Sequence, residues 1–147
     1  MTLAATDRLA LIELVTLADS YATARDSRRY AALFSDDARM DGQVATVQGR
    51  DQLEQMVERV WASEPAGTRH LTLNITIDDS GPDPEVSSTL VLLLSGNPAS
   101  IASVADIRQV AVRTSDGWRI RSRTITLDQP DPTTAGAIPT RQAESLA

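Results

Sequence analysis

The chain changes its hydrophobic period at one stretch, Arg69-His-Leu-Thr-Leu-Asn-Ile-Thr-Ile77. Aliphatic side chains alternate there with polar ones, a period of two that is typical of a β-strand with two different faces. Further strands are predicted at about 85–95, 101–113 and 118–127, because turn-forming Gly, Pro, Asn and Asp residues separate these segments. The second half of the chain is therefore predicted to be a sheet of four long antiparallel strands.

Before this stretch the hydrophobic spacing is helical. Residues 6–25 carry Leu, Val and Ala at intervals of three and four, and residues 49–62 repeat the pattern. Between them, a short second helix is predicted after Ala24-Arg-Asp-Ser27, and residues 38–47 contain a glycine turn between two short extended pieces. The inward residues of the second helix are predicted to be Tyr30, Leu33 and Phe34. This order predicts the α+β class, with three N-terminal helices on the concave side of a curved sheet and a cone-shaped pocket between them.

The length predicts one domain followed by a tail. Residues 1–128 carry all the predicted helices and strands, whereas residues 129–147 are rich in Pro, Thr and Ala. The segment Met1–Asp7 lacks the basic and apolar parts of a signal peptide, and no apolar run approaches the roughly 18–20 residues that cross a bilayer. We therefore expect a cytoplasmic protein.

The composition excludes several functions. Fourteen basic and twenty acidic side chains give a net charge of −6, which argues against binding nucleic acid or an anionic membrane, since both need a basic surface. With no cysteine and a single histidine, the chain lacks the residues for disulfides, thiolate catalysis or a multi-histidine metal site. A site made of carboxylates alone stays open but has no recognisable spacing, and no glycine-rich nucleotide motif is present. We expect chemistry without a metal or another cofactor.

One segment carries a family resemblance, the run Leu17-Ala-Asp-Ser-Tyr-Ala-Thr-Ala-Arg-Asp-Ser-Arg-Arg-Tyr-Ala-Ala-Leu-Phe-Ser-Asp-Asp-Ala38. It resembles the opening of SnoaL-like domains in the nuclear-transport-factor-2-like (NTF2-like) superfamily. Gly49-Arg50, Thr68-Arg-His-Leu71 and Asp116-Gly-Trp-Arg-Ile120 follow in the order that this family has. The resemblance implies a cone of helices on a curved, mixed or antiparallel sheet. The superfamily contains dehydratases, ketosteroid isomerases, epoxide hydrolases and polyketide cyclases, and also members without known catalysis, so the fold alone does not fix the function.

The resemblance implies three catalytic residues, Tyr21, Asp26 and His70, which match a Tyr/Asp/His set of the dehydratase-like branch. A hydrogen bond from Asp26 would fix the imidazole tautomer of His70, the general acid or base, and Tyr21 would donate to the developing enolate oxygen. The chain departs from the dehydratases, because Thr89–Leu94 is almost wholly apolar where they carry polar groups. The Arg-x-Asp arrangement of the epoxide hydrolases is not evident either.

Each of these residues also has a structural explanation. Asp26 is a natural cap for the second helix, Tyr21 continues an apolar helix stripe, and His70 is equally compatible with a hydrogen-bonding surface role. Asp41 is either a turn residue or a rival base near the position that ketosteroid isomerases use. Asp106 is either a paired residue on a sheet face or an acid in the pocket. The residues predicted to bind substrate are Phe34, Asp41, Met56, Trp61, Asn74, Asp106 and Arg123, the last being one of three alternating arginines on the final strand.

The leading hypothesis is an enzyme that abstracts a proton next to a carbonyl in a hydrophobic small molecule such as a polyketide. Cyclisation, isomerisation or loss of water would follow. The alternative is a non-catalytic ligand-binding or dimerisation module on the same fold. The aliphatic face formed by Leu71, Leu73, Ile75 and Ile77 is expected to need covering, which predicts a homodimer or a trimer.

Overall fold

The computed structural model describes residues 2–42 and 45–128, so the predicted tail, residues 129–147, lies outside the described residues. The elements in chain order are α1 (Ala5–Ala24), α2 (Ser27–Ala32), β1 (Phe34–Asp41), β2 (Thr46–Gln48), α3 (Arg50–Ser63), β3 (Thr68–Asp78), β4 (Glu85–Leu94), β5 (Ser100–Thr114) and β6 (Gly117–Leu127). The α+β class is confirmed. The four long strands lie close to their predicted positions.

The sheet is larger than predicted. It has six strands in the order β2-β1-β6-β5-β4-β3, and β1 pairs with β6 in parallel while every other neighbouring pair is antiparallel. The hairpin of β1 and β2 therefore precedes α3, so only two helices, rather than three, lie before the first strand. The sequence of β1, Phe-Ser-Asp-Asp-Ala-Arg-Met-Asp, shows why the prediction missed a full strand. Its alternation is broken, and its pairing with β6 is a long-range contact that no local pattern reveals.

The predicted position of Phe34 in the second helix is wrong. Helix α2 ends at Ala32, with Leu33 as its C-cap. The backbone N–H of Ile120 in β6 donates to the Leu33 carbonyl at 2.9 Å, which draws the chain into the sheet at this point. Phe34 consequently opens β1, where it is fully buried and packs its ring 5.2 Å from that of Tyr30.

A bulge in β3 reverses the faces of that strand. The register with β4 shifts between Leu73 and Thr76, and Asn74 adopts a left-handed backbone conformation with φ of 54°. Before the bulge, Leu71 and Leu73 are 36% and 46% exposed. Beyond it, Ile75 and Ile77 pack against the core. The aliphatic face predicted as continuous is thus divided between the outside and the inside of the sheet.

A second bulge, in β6, reverses the faces of that strand in the same way. Val110 of β5 lies opposite Ser122 whereas Ala111 lies opposite Ile120, which leaves Arg121 as an extra residue. Ile120 is buried before this point and Arg123 is buried after it. Arg121 itself is exposed and forms an ion pair with Asp83. The extra residue is therefore what turns Arg123 inward.

We predict that the Asn74 bulge limits which side chains are tolerated there. A β-branched residue at a positive φ is strained, so Asn74→Val should lower the free energy of unfolding by roughly 1–2 kcal/mol. Asn74→Gly should stay close to the wild type, because glycine adopts this conformation freely. Urea denaturation measures both values, and Thr76→Val, an exposed position two residues further on, is the control. Equal stability of the valine and glycine variants at position 74 would contradict the left-handed conformation.

Candidate active site

A cavity of about 140 Å³ lies against the inner face of the sheet. Most of its wall is apolar, and α3 and β4 contribute Met56, Val57, Val60, Trp61, Leu90 and Leu92 to it. The polar residues in the wall are Asp19, Tyr30, Glu64, His70, Ser103 and Arg123. An apolar cavity with a few polar groups is the usual form of a small-molecule site.

The imidazole of His70 is paired with Glu64. Nε2 of His70 lies 3.0 Å from Oε2 of Glu64, and the two side chains are only 6% and 12% exposed. The same Glu64 oxygen accepts a hydrogen bond from Nη1 of Arg25 at 2.8 Å. The carboxylate therefore holds the ring in place and is itself held by a cation, which is the arrangement of a base with an orienting partner.

A short turn brings Glu64 and His70 together. Glu64 is the C-cap of α3, and the N–H of Thr68 donates to the carbonyl of Pro65 at 3.2 Å. Gly67 has a φ of 81°, which suits the third position of such a turn and favours glycine there. The chain thus reverses between the end of α3 and the start of β3, and residues six apart in sequence meet at the cavity.

The backbone of His70 is fixed from the other side by α1. Its N–H donates to Oγ1 of Thr23 at 2.8 Å. This N–H faces away from β4, and because β3 is an edge strand it needs a partner outside the sheet. The Thr23 hydroxyl supplies that partner, so both the main chain and the side chain of His70 are held.

A second polar group, buried more deeply, joins α1 to the sheet. Nη2 of Arg123 lies 2.7 Å from Oδ1 of Asp19, and both side chains are 3% exposed. Nη1 of Arg123 donates to Oε1 of Gln109, directly opposite on β5, at 2.9 Å. The hydroxyl of Thr72 donates to the other Asp19 oxygen at 2.5 Å. A buried charge is stable only with such partners.

Burial and the neighbouring charges shift the pKa values of Arg123 and Tyr30. Burial opposes the charged form of Arg123, but Tyr30 and Asp19 outweigh it and raise the pKa of the guanidinium above its ordinary value. Burial also raises the pKa of the Tyr30 phenol, with Arg123 acting against this and Asp19 adding to it. Tyr30 is therefore a neutral phenol at physiological pH, and among the described residues its hydroxyl reaches only the sulfur of Met40, at 3.9 Å. That weak acceptor leaves the hydroxyl able to donate to a ligand.

The two catalytic residues expected beside His70 lie elsewhere. Asp26 caps α2 by accepting from the N–H of Arg29 at 3.0 Å, and its side chain is 33% exposed. The expected pairing of His70 with Asp26 is thus corrected to a pairing with Glu64, because the cap directs the Asp26 carboxylate to its own helix. Tyr21 is half-buried and packs against the core, while the phenol in the cavity wall belongs to Tyr30.

Of the residues expected to bind substrate, Met56, Trp61 and Arg123 line the cavity, and the other four lie apart from it. Phe34 is in the core, and Asn74 is exposed at the β3 bulge. Asp106 is exposed on the outer face of β5, opposite Thr89 and Thr126. Asp41 lies in the hairpin of β1 and β2, where hydrogen bonds from Arg39 and then Thr46 hold the pKa of its carboxyl below the usual value. That shift makes Asp41 a weaker base than an ordinary aspartate.

Sequence reasoning missed Glu64 and Asp19. Glu64 precedes Pro65-Ala-Gly67, a combination that signals the end of a helix and also a turn that returns the chain toward His70. Asp19 interrupts the apolar spacing of α1 between Ala18 and Ala22, and a charge on a buried helix stripe is the signal that could have found it.

Within residues 2–42 and 45–128, no group of three or more His, Asp or Glu side chains is placed to hold a metal ion. No helix in this part of the chain is both long and apolar enough to cross a membrane.

The fold and the cavity define an α+β domain of three helices on a six-stranded mixed sheet, built to line a small apolar site. The family model of the SnoaL-like domain matches residues 4–124, and the chain therefore belongs to the SnoaL-like domain family. The resemblance stated from the sequence is confirmed. No curated protein matches the chain.

Solved structures agree with this fold. A protein of unknown function with a cystatin-like fold from Nostoc punctiforme is 22% identical with a TM-score of 0.80, covering 90% of this chain and 99% of that one. An NTF2-like protein from Novosphingobium aromaticivorans is 21% identical with a TM-score of 0.74, covering 87% and 86%. A proposed scytalone dehydratase from the same organism is 19% identical with a TM-score of 0.70, covering 84% and 85%. At these identities the similarity shows the fold and not the activity.

We predict that the Asp19–Arg123 pair behaves as a unit. Arg123→Met leaves the Asp19 carboxylate buried without its counter-charge and should cost about 3–5 kcal/mol in the free energy of unfolding. The double variant Asp19→Asn/Arg123→Met removes both charges and should cost clearly less. Urea denaturation measures each value, and Arg121→Met, on an exposed pair of the same strand, should cost at most about 1 kcal/mol. A double variant as unstable as the single one would refute the coupling.

Proposed function

We propose that this SnoaL-like protein is a cofactor-independent enzyme that performs acid–base chemistry on a hydrophobic carbonyl compound such as a polyketide. The observation that carries the proposal is the buried contact between His70 and Glu64 in the wall of an apolar cavity. A lone surface histidine would fit a non-catalytic binding module equally well. A buried imidazole held by a carboxylate beside an apolar cavity favours an enzyme.

His70 is the general base in this proposal. In this proposal Nε2 of His70 carries the ring proton, because the Glu64 carboxylate beside it only accepts hydrogen bonds, and Nδ1 receives a proton from carbon. Glu64 then stabilises the imidazolium that forms. Proton transfer by a positioned side chain contributes typically about 10²–10⁴-fold to a rate.

Tyr30 and Arg123 are the donors for the carbonyl oxygen. Both line the same cavity, and the guanidinium carbon of Arg123 lies 6.0 Å from the centre of the Tyr30 ring. When the proton leaves carbon, negative charge develops on the oxygen, and donors already in place stabilise it without reorganising. In this proposal Tyr30 thus has the role that the family resemblance implied for Tyr21. The enolate would go on to cyclise, to isomerise or to lose water.

Proton abstraction can be tested without the natural substrate. β-Tetralone is an apolar ketone with exchangeable protons next to its carbonyl, and NMR in deuterated buffer follows their replacement. We expect the protein to catalyse this exchange, and His70→Ala to lower kcat at least about tenfold. Glu64→Gln should lower kcat similarly with KM unchanged, because Glu64 contacts His70 rather than the ketone.

Asp26→Asn is the matched control, since it removes a carboxylate from the helix cap instead of from His70, and asparagine is an equally good cap. Its exchange rate should equal that of the wild type. Exchange no faster than in buffer, or an unchanged rate in His70→Ala, would remove the basis of the proposal. An Asp26→Asn rate as low as that of Glu64→Gln would return the role to Asp26.

We also propose that a second copy of the chain covers the outer face of the sheet. The exposed apolar residues there are Leu71, Leu73 and Ile101, at 36%, 46% and 64%. Leu71 and Leu73 lie on β3 and Ile101 lies on β5, and the half-buried Leu93 of the intervening strand β4 lies opposite Ile101 in register. Adjacent exposed aliphatic side chains on one sheet face are typical of an interface.

Light scattering after size-exclusion chromatography tests this arrangement. We expect a dimer, or a trimer, for the wild type, and a monomer for the variant Leu71→Glu/Leu73→Glu, because buried unpaired carboxylates oppose association. Leu9→Glu, at a 67% exposed position on α1, should leave the oligomer intact. A monomeric wild type would exclude the proposed interface.

A further inference from the structure

One nitrogen of the Arg123 guanidinium makes no hydrogen bond to the described residues. Asp19 and Gln109 accept from Nη2 and Nη1, but the buried Nε has no partner among the described residues. Arg123 is 2% exposed and lines the cavity. Buried donors almost always have an acceptor, so an unused one on a residue that lines the cavity points to an acceptor that arrives with the ligand.

The charge of Arg123, in contrast, is already neutralised. Asp19 lies 2.7 Å away and is as deeply buried. The other charged groups at the cavity balance as well, since the Glu64 carboxylate is paired with Arg25. The wall therefore offers hydrogen-bond donors without a net positive charge.

A charged ligand would upset this balance. A carboxylate placed at Arg123 would give the buried group two negative charges against one positive charge, and an unpaired charge out of water is costly. An uncharged oxygen meets the same donor without that cost. We propose that the cavity selects neutral ligands, that their carbonyl or hydroxyl oxygen accepts from Nε of Arg123, and that Asp19 is the residue that rejects carboxylates.

This inference deepens the proposed function, because it concerns the same cavity and names the charge of its substrate class. Arg123 would contact the ligand directly. Asp19 would act through Arg123, as a specificity determinant that never touches the ligand. The inference concerns binding alone, so it can be tested with inert ligands on which no chemistry takes place.

Three ligands of similar shape test the acceptor and the charge separately. Naphthalene has no acceptor oxygen, methyl naphthyl ketone has a neutral one and naphthoate carries a negative charge. Isothermal titration calorimetry at neutral pH measures the dissociation constant of each for the wild-type protein. The ketone should bind at least about tenfold more tightly than naphthalene, since it supplies the missing acceptor to a charged donor. Naphthoate should bind at least about tenfold more weakly than the ketone, since Asp19 opposes its charge.

The variant Asp19→Asn tests the reason for this order. It leaves Arg123 with an uncompensated positive charge, so naphthoate should gain at least about tenfold in affinity relative to the ketone. Asp26→Asn makes the same chemical change at an exposed helix cap and should leave the order unchanged. The wild-type series is decisive by itself if Asp19→Asn does not fold.

Two results would overturn the inference. Equal affinities for naphthalene and the ketone would mean that Nε of Arg123 does not bind the ligand oxygen. Naphthoate binding to the wild type as tightly as the ketone would mean that Asp19 does not set charge selectivity. The first result would also remove Arg123 as a donor in the proposed reaction, but neither result decides the proton-exchange assay, which tests His70 and Glu64. Loss of exchange in that assay would leave the binding order untouched, so the two proposals fail separately.

Discussion

The guanidinium of Arg123 is buried and therefore requires a negative charge nearby, which Asp19 supplies. This ion pair connects the elements at the centre of the protein. Arg123 reaches Asp19 on the first helix and Gln109 on the neighbouring strand, so one side chain links α1, β5 and β6. Thr72 attaches β3 to the same carboxylate. These polar contacts therefore link four elements that carry the cavity wall, in addition to the apolar core that α1, α3 and the sheet share.

Local patterns predicted most of the elements, because amphipathic spacing and turn residues act over a few residues. The local patterns failed where the structure depends on contacts between residues that are far apart in the sequence. The parallel pairing of β1 with β6 is one such case, and the extra residues at Asn74 and Arg121 are two more. Each bulge inverts the face of every residue that follows in its strand, so an alternating pattern counted from one end gives the wrong side beyond it.

In the candidate site, too, some residues could be predicted from the sequence and others could not. His70 could be chosen from the sequence by its place in the family pattern, and Met56, Trp61 and Arg123 also lie where expected. Its partner could not be chosen that way, because Asp26 and Glu64 are both acidic residues next to a helix end. The two carboxylates differ in direction. That of Asp26 caps the N-terminus of α2, whereas that of Glu64 points toward His70 on β3.

The hydroxyl of Thr23 has a consequence for the behaviour of the protein in a crowded solution. Strand β3 forms one border of the sheet, and a border of this kind is a template on which foreign strands can add by main-chain hydrogen bonding. Because Thr23 already accepts from the N–H of His70, a foreign strand cannot pair with that N–H, which belongs to the proposed catalytic base. The contact that fixes the main chain of His70 therefore also removes one N–H of this border from pairing with a foreign strand.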